Sequence, residues 1–269
     1  MTEMPLEAVK LPFELYPANE LSKNVGLIVL ASDEVGAQAF TKIMSDYDLR
    51  LFVTRARYSD ESNNFELVGG FENVAQTLPP PGSLDVLAFN CTSATVQLGA
   101  ERVLSVLSAL RPGIRYTTPG IGGLAALEHL QVRKISLLTP YRMDVHRLFV
   151  PFFNSNGFQV VREGTFDMSS DRDMCNLTRD SIFAAAKRMV EHSEAEALFV
   201  SCTSVPVVDC IADLEDHLGL PVVTSTQAEA WHALRLLEID TSRSEKFGSL
   251  FGQRKMPSLD SEVQPFQNG

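Results

Sequence analysis

The chain states one pattern twice. Residues 85–103 read "DVLAFNCTSATVQLGAERV" and residues 197–214 read "ALFVSCTSVPVVDCIADL". In each, a short apolar run ends in Cys-Thr-Ser and passes into a stretch with helical spacing. Cys91 and Cys202 stand 111 residues apart, and at a similar offset of about 108 the segment "LIVLASD" meets "ISLLTPY". An internal duplication is the simplest explanation of a fixed offset of this kind, and it limits the fold to one built from two like halves.

Each half carries four short apolar runs bounded by turn signals. They fall at 25–31, 49–55, 85–90 and 113–118, and again at 134–139, 158–163, 197–201 and 221–225. Amphipathic stretches lie between most of them, the pattern of parallel strands joined by helices. The spacing predicts helices over 95–110 and 205–218, each directly after a Cys-Thr-Ser, and over 120–130 and 226–237, each after the last strand of its half. The expected fold class is therefore α/β, with two pseudo-symmetric lobes, each holding a four-stranded parallel sheet flanked by helices. Such sheets bind ligands beyond the carboxyl ends of their strands, so facing lobes would bring both Cys-Thr-Ser turns to one cleft. The "LPPPG" run (78–82) reads as a stiff loop. From about Asp240 the periodicity fades, and 241–269 reads as a tail, ordered only where it packs on another subunit.

Composition narrows the partners. With 269 residues, 45% hydrophobic and 21% charged, the chain is that of an ordinary globular protein. A formal net charge of -11 argues against nucleic acid or an anionic membrane surface. The N-terminal "MTEMPLEAVKLPFELYPANELSK" has no basic region followed by a long apolar run, and "VGLIVLA" is too short to span a bilayer. A cytoplasmic location is the expectation, and a homo-oligomer the expected assembly. Free thiols are expected of Cys91, Cys175, Cys202 and Cys210, with no spacing that suggests a metal. The "PGIGG" of 119–123 matches neither a dinucleotide fingerprint nor a P-loop and reads as a helix-start turn. His146 and His232, within helical patterns, read as ordinary surface or core residues.

A cysteine at a strand end before a helix lies beside unpaired backbone N–H groups and the positive end of the helix dipole, which favours the reactive thiolate. The following Thr and Ser can cap the helix and help cradle a carboxylate. Two such turns facing each other allow two chemistries. One thiol can take a proton from one face of a carbon acid while the other returns a proton to the opposite face. Alternatively, one thiolate can add to an activated double bond, allow rotation, and leave. Cys210 and Cys175 read as structural. Asp33 and Tyr141 end the two first strands in matched positions and are candidates for lining the cleft.

The segments "CTSATVQLG", "LLTPYRMD", "DRDM", "LFVSCTS" and "PVVTSTQAEAWHALRL", in this order and separation, resemble the aspartate/glutamate racemase superfamily. The similarity covers roughly residues 24–240. It is nearest to the branch of maleate cis-trans isomerase, arylmalonate decarboxylase and the isomerase-type ectoine-utilisation protein. The resemblance implies an active site between two lobes, no metal or organic cofactor, and a small carboxylate as substrate. It further implies interleaved lobes, 1–117 with 226–269 forming the first and 118–225 the second. Carried over by motif, Cys91 and Cys202 are the catalytic pair. Thr92, Ser93, Thr203 and Ser204 bind the substrate carboxylate, with Tyr141 contacting that carboxylate or its enediolate.

Arylmalonate decarboxylases resemble this chain but have glycine in place of the first cysteine, so Cys91 speaks against that reaction. Maleate isomerases have Asn in a Ser-Ser-Asn-Thr type segment where "LASDEVG" places Asp33. An Asp there repels a second substrate carboxylate, which speaks against maleate itself. The ectoine-type proteins are similar at this segment, which raises an amino-acid-derived substrate. The reading is a cofactor-independent isomerase of a small carboxylic acid, by racemisation or cis-trans isomerisation. The alternatives are an arylmalonate-type decarboxylase or a non-catalytic small-molecule binding protein.

Overall fold

A computed structural model describes residues 8–17, 22–59, 66–67, 70–242 and 244–252. The first half runs β1 (Lys23–Leu30), α1 (Gly36–Met44), β2 (Leu49–Ala56), β3 (Tyr58–Ser59), β4 (Glu66–Leu67), α2 (Gly70–Ala75), β5 (Val86–Asn90), α3 (Thr92–Leu98), α4 (Ala100–Leu110), β6 (Arg115–Thr117) and α5 (Pro119–His129). The second runs β7 (Lys134–Tyr141), α6 (Met143–His146), α7 (Phe149–Ser155), β8 (Gln159–Met168), α8 (Asp171–Cys175), α9 (Arg179–Val190), β9 (Ala197–Val200), α10 (Ile211–Leu218), β10 (Val222–Thr224) and α11 (Ser225–Leu236).

Two four-stranded sheets result, ordered β2-β1-β5-β6 and β8-β7-β9-β10, every pairing within them parallel. Read within each half, the orders are identical: second strand, first, third, fourth. All eight runs expected as strands are strands, and β3 and β4 form a small antiparallel pair besides. The central strands are buried on both faces, as Val25–Leu30, Val86–Asn90 and Ala197–Val200 show. That is why they read as continuous apolar runs rather than alternations.

Two expected helices differ from expectation. The stretch 95–110 is broken at Gly99, whose φ of 86° lies in the left-handed region that favours glycine, so α3 and α4 are separate. After Cys202 the chain does not enter a helix at once. It turns through 203–207, makes a 3-10 turn at Val208–Cys210, and only then forms α10. Pro206 lacks an N–H to give and disfavours helical geometry at the residue before it.

The last helices of the two halves cross each other. α11 packs on α5 and α1 and against β5 and β6, while α5 also meets β10. The glycines of "PGIGG" explain themselves here. Thr118 caps α5, accepting from the Ile121 N–H at 3.3 Å, and Pro119 takes the first turn. A side-chain carbon at Gly122 would lie 2.6 Å from the Ala228 carbonyl oxygen and 2.9 Å from Glu229 Cα. The motif is a close helix crossing.

The start of the expected tail packs on its own chain. Phe247, Leu250 and Phe251 are buried, Ser249 donates to Glu215 through its N–H at 2.8 Å and its hydroxyl at 2.7 Å, and Gln227 Nε2 donates to the Phe247 carbonyl at 2.6 Å. Apolar side chains three and four apart supply the anchor, although the segment is too short to show periodicity. The rest of that tail, 253–269, lies outside the described residues. No helix among the described residues is long and apolar enough to cross a membrane.

Candidate active site

The two Cys-Thr-Ser turns follow the third strand of each sheet, at corresponding carboxyl ends. Cys91, at the N-terminus of α3, is 4% exposed, and Cys202 is 7% exposed. Ser225, the first residue of α11, joins the turns: its hydroxyl accepts from Thr92 Oγ1 at 2.8 Å and from the Cys202 N–H at 3.0 Å. Thr203 reaches across to the first sheet, donating to Asp33 Oδ2 at 2.8 Å. The Ser204 N–H points at the Cys202 sulfur, 3.4 Å away, and the Ser93 hydroxyl lies 3.6 Å from the Cys91 sulfur.

Tyr141 ends β7. Its hydroxyl lies 3.3 Å from Ser201 Oγ, and its ring stacks on Phe149 at 5.1 Å. Beside it opens a recess of roughly 520 Å³ of empty space, its mouth included, lined among others by Tyr58, Ser93, Tyr141, Arg142, Asp171 and Met174. Lining residues come from both halves of the chain. The Met174 sulfur lies 4.0 Å from that of Cys202, so α8 roofs the second turn.

The expected substrate-binding residues divide. Ser93 and Tyr141 line the recess. Thr92, Thr203 and Asp33 are buried behind it and bonded to the protein: Asp33 Oδ1 accepts from the N–H groups of Val35 at 2.9 Å and Gly36 at 2.6 Å, and Oδ2 from Thr203. Ser204 is buried beside Cys202. A side-chain carbon at Gly36 would collide with Asp33 and Asn90, so this glycine permits the turn.

The thiols differ from the expected thiolates. Burial pushes the Cys91 thiol up from 9.0 to about 12, with the carboxylates of Asp171 and Asp33 adding to the rise against a contrary pull from the Ala94 N–H and Ser93. Burial raises Cys202 as well, again with Asp171 and Asp33. Cys202 also lacks the helix start that the sequence pattern implied, and sits instead at φ 87°, a conformation costly for a residue with a Cβ. Tyr141 is held well above its ordinary range by burial, then by the two cysteines.

Sequence reasoning missed Asp171, Ser32, Tyr58 and Ser225. The hydroxyls of Ser32 and Tyr58 donate to Asp171 Oδ2, Tyr58 at 2.9 Å. The signals were present but silent: "SSDRD" is a capped helix start, with Ser170 accepting from the Asp173 N–H at 3.3 Å, and Ser225 opens a helix directly after β10. His146 and His232 are occupied elsewhere, with Thr139 at 2.9 Å and Thr117 at 2.8 Å. Among the described residues no group of three or more His, Cys, Asp or Glu is placed to hold a metal.

Residues 66–251 match the family model of arylmalonate decarboxylase. The chain belongs to that family. Its relatives are similar at low identity. The arylmalonate decarboxylase of Bordetella bronchiseptica is 25% identical over 171 residues, 62% of this chain and 71% of that one. The maleate isomerase of Nocardia farcinica is 26% identical over 120 residues, 44% of this chain and 46% of that one. Among solved structures, the Nocardia farcinica maleate cis-trans isomerase, in a cysteine-to-serine variant with a covalently bound succinylcysteine intermediate, superposes with a TM-score of 0.73 at 16% identity, covering 87% of this chain and 99% of that one. Unliganded arylmalonate decarboxylase superposes at 0.64 with 22% identity, covering 80% and 92%. The arylmalonate decarboxylase family thus includes this chain, with maleate isomerases as further relatives in sequence and fold.

Proposed function

We propose that the protein is a cofactor-independent isomerase of a small carboxylic acid, working with Cys91 and Cys202 as a pair. The observation that carries the reading is Ser225, whose hydroxyl is bonded to Thr92 of the first turn at 2.8 Å and to the Cys202 N–H of the second at 3.0 Å. The substrate carboxylate lies against Ser93 and the Tyr141 hydroxyl, where fixed donors stabilise the charge that develops on it. Cys91 is the base or nucleophile, since it stands at the N-terminus of α3, where unpaired N–H groups favour an anion, whereas Cys202 precedes an irregular turn. Cys202 is the proton donor.

In racemisation the Cys91 thiol first gives its proton to solvent; its thiolate takes the proton beside the carboxylate, the electron pair passes into the enediolate, and the Cys202 thiol protonates the opposite face. Cys91 is left as thiol and Cys202 as thiolate, and the roles reverse for the return reaction. In cis-trans isomerisation the Cys91 thiol gives its proton to solvent, the thiolate adds to one carbon of the double bond as the π pair passes to the other, and the Cys202 thiol protonates that second carbon. After rotation Cys202 removes a proton and the carbon–sulfur bond breaks. The succinylcysteine of the Nocardia relative is the species such an addition would form, which favours this second route.

The test is incubation in heavy water with maleate, aspartate, glutamate, hydantoins and acylated diamino acids, followed by NMR. Deuterium beside the carboxylate, or fumarate from maleate, is expected, falling by about 10²- to 10⁴-fold in Cys91→Ser and in Cys202→Ser. Turnover that survives both replacements would sink the two-thiol reading. Decarboxylation needs one proton donor only, so carbon dioxide release from a disubstituted malonate that survives Cys91→Ser but not Cys202→Ser would move the protein to that reaction.

A further inference from the structure

The recess is unbalanced in charge. One acidic and one basic side chain line it, Asp171 and Arg142. The Arg142 guanidinium is already held by Asp144, Nε donating at 3.1 Å and Nη2 at 2.7 Å. Asp171 has no ion pair among the described residues. Its two hydrogen bonds, from Ser32 and Tyr58, both fall on Oδ2, and Oδ1 accepts none among the described residues. Asp33 stands behind the same site and adds a second negative charge near the sulfurs.

We propose that Asp171 is a specificity residue that selects a substrate carrying an ammonium group a few atoms from its carboxylate. The inference rests on the reading above, in which the carboxylate lies at Ser93 and Tyr141. A carboxylate is an acceptor and an ammonium a threefold donor, so Oδ1 offers the partner that such a group needs. A dicarboxylate would instead bring a second anion to a wall that already holds one, in a half-buried recess where charges are weakly screened. Discrimination then comes as much from repelling the dianion as from attracting the zwitterion. Ser32 and Tyr58 fix the carboxylate in place, and both belong to the first half of the chain whereas Asp171 belongs to the second.

Selection and activation coincide at this residue. Asp171 acts on both Cys91 and Cys202, and always toward the neutral thiol. A substrate ammonium seated on Asp171 cancels much of that field and brings the thiols nearer to ionisation. A dianion would do the reverse.

Three ligands with one carbon skeleton provide the test: maleate, isocrotonate and cis-4-aminocrotonate, whose second terminus is anionic, neutral and cationic in turn. Binding is measured by titration calorimetry on the intact protein, on Asp171→Asn, and on the Cys91→Ser, Cys202→Ser double variant. In the parent, cis-4-aminocrotonate should bind at least about tenfold more tightly than maleate, with isocrotonate between. Asp171→Asn, which keeps an acceptor for Ser32 and Tyr58, should weaken the amine, tighten maleate and leave isocrotonate nearly unchanged. The double variant should keep the parent's order, so failure of the thiol chemistry leaves this result standing. No preference for the amine in the parent, including no binding of either ligand, overturns the proposal whatever the variant does. So does an equal loss for all three ligands in Asp171→Asn, which would mark a purely structural carboxylate.

Discussion

The Thr203 hydroxyl donates to the Asp33 carboxylate at 2.8 Å, joining the turn after β9 to the turn after β1. The same carboxylate closes its own turn by accepting from two backbone N–H groups. Asp33→Ala would remove the acceptor of the Val35 and Gly36 N–H groups and leave the buried Thr203 hydroxyl only the Asn90 carbonyl at 3.4 Å. A loss of about 2–4 kcal/mol in stability is expected, read by urea unfolding, with Asp33→Asn intermediate. A variant as stable as the parent, altered only in KM, would instead assign Asp33 to substrate binding.

Thiol reactivity should follow burial. Half-buried Cys175 is expected to react with iodoacetamide first, ahead of the buried Cys91 and Cys202. Labelling of Cys91, with its thiol held near 12, should climb about tenfold per pH unit through the alkaline range. Mass spectrometry of peptides labelled at a series of pH values reads the order directly. Linkage gives the matching effect on stability. The thiol is more acidic unfolded than folded, so its contribution is complete below pH 9 and is lost as the pH rises from 9 toward 12.

Glu229 offers a change that should stabilise. It is fully buried on α11, its Oε2 accepts from Asn90 Nδ2, and Oε1 has no partner among the described residues. Burial holds its carboxyl well above 4.5. A group raised in the folded state stabilises most below its unfolded pKa and loses that contribution as pH rises. Glu229→Gln, which keeps the bond to Asn90, should therefore match the parent near pH 4 and exceed it in stability at pH 8. Thermal unfolding at the two pH values checks the sign.

Gly122→Ala tests the helix crossing. Its new carbon would meet the backbone of α11 at 2.6 Å and 2.9 Å, where no side chain can rotate away. A destabilisation of about 1–3 kcal/mol is expected, with loss of activity because Ser225 moves with α11. Gly82→Ala is the control: nothing lies within 4 Å of its added carbon, although its φ of 85° carries its own strain.

What the sequence revealed and what it hid divide by range. Strands such as Val86–Asn90 were legible because burial on both faces writes a local apolar run. The paired cysteines were legible because duplication writes each turn twice. Asp171 and Ser225 were not, because each acquires its role from residues more than a hundred positions away: Ser32 is 139 positions from Asp171, and Thr92 is 133 from Ser225. The protonated state of the thiols was hidden for the same reason. A strand-end cysteine reads as activated until the carboxylates of Asp171 and Asp33, brought in by other segments, are seen beside it. Helix spacing over 205–210 misled because the apolar side chains of Val205, Val207 and Val208 pack in the core through an irregular turn.

The bridge made by Ser225 has a consequence for how the protein is born. During synthesis the first Cys-Thr-Ser turn leaves the ribosome long before the serine that fastens it, and the whole second sheet must follow. Until α11 docks, neither turn has the serine hydroxyl that bonds it. Native contacts at such separation form slowly, and domains finished late expose unfinished apolar faces meanwhile. The two Cys-Thr-Ser turns are thus fastened to each other only once the last helix is in place.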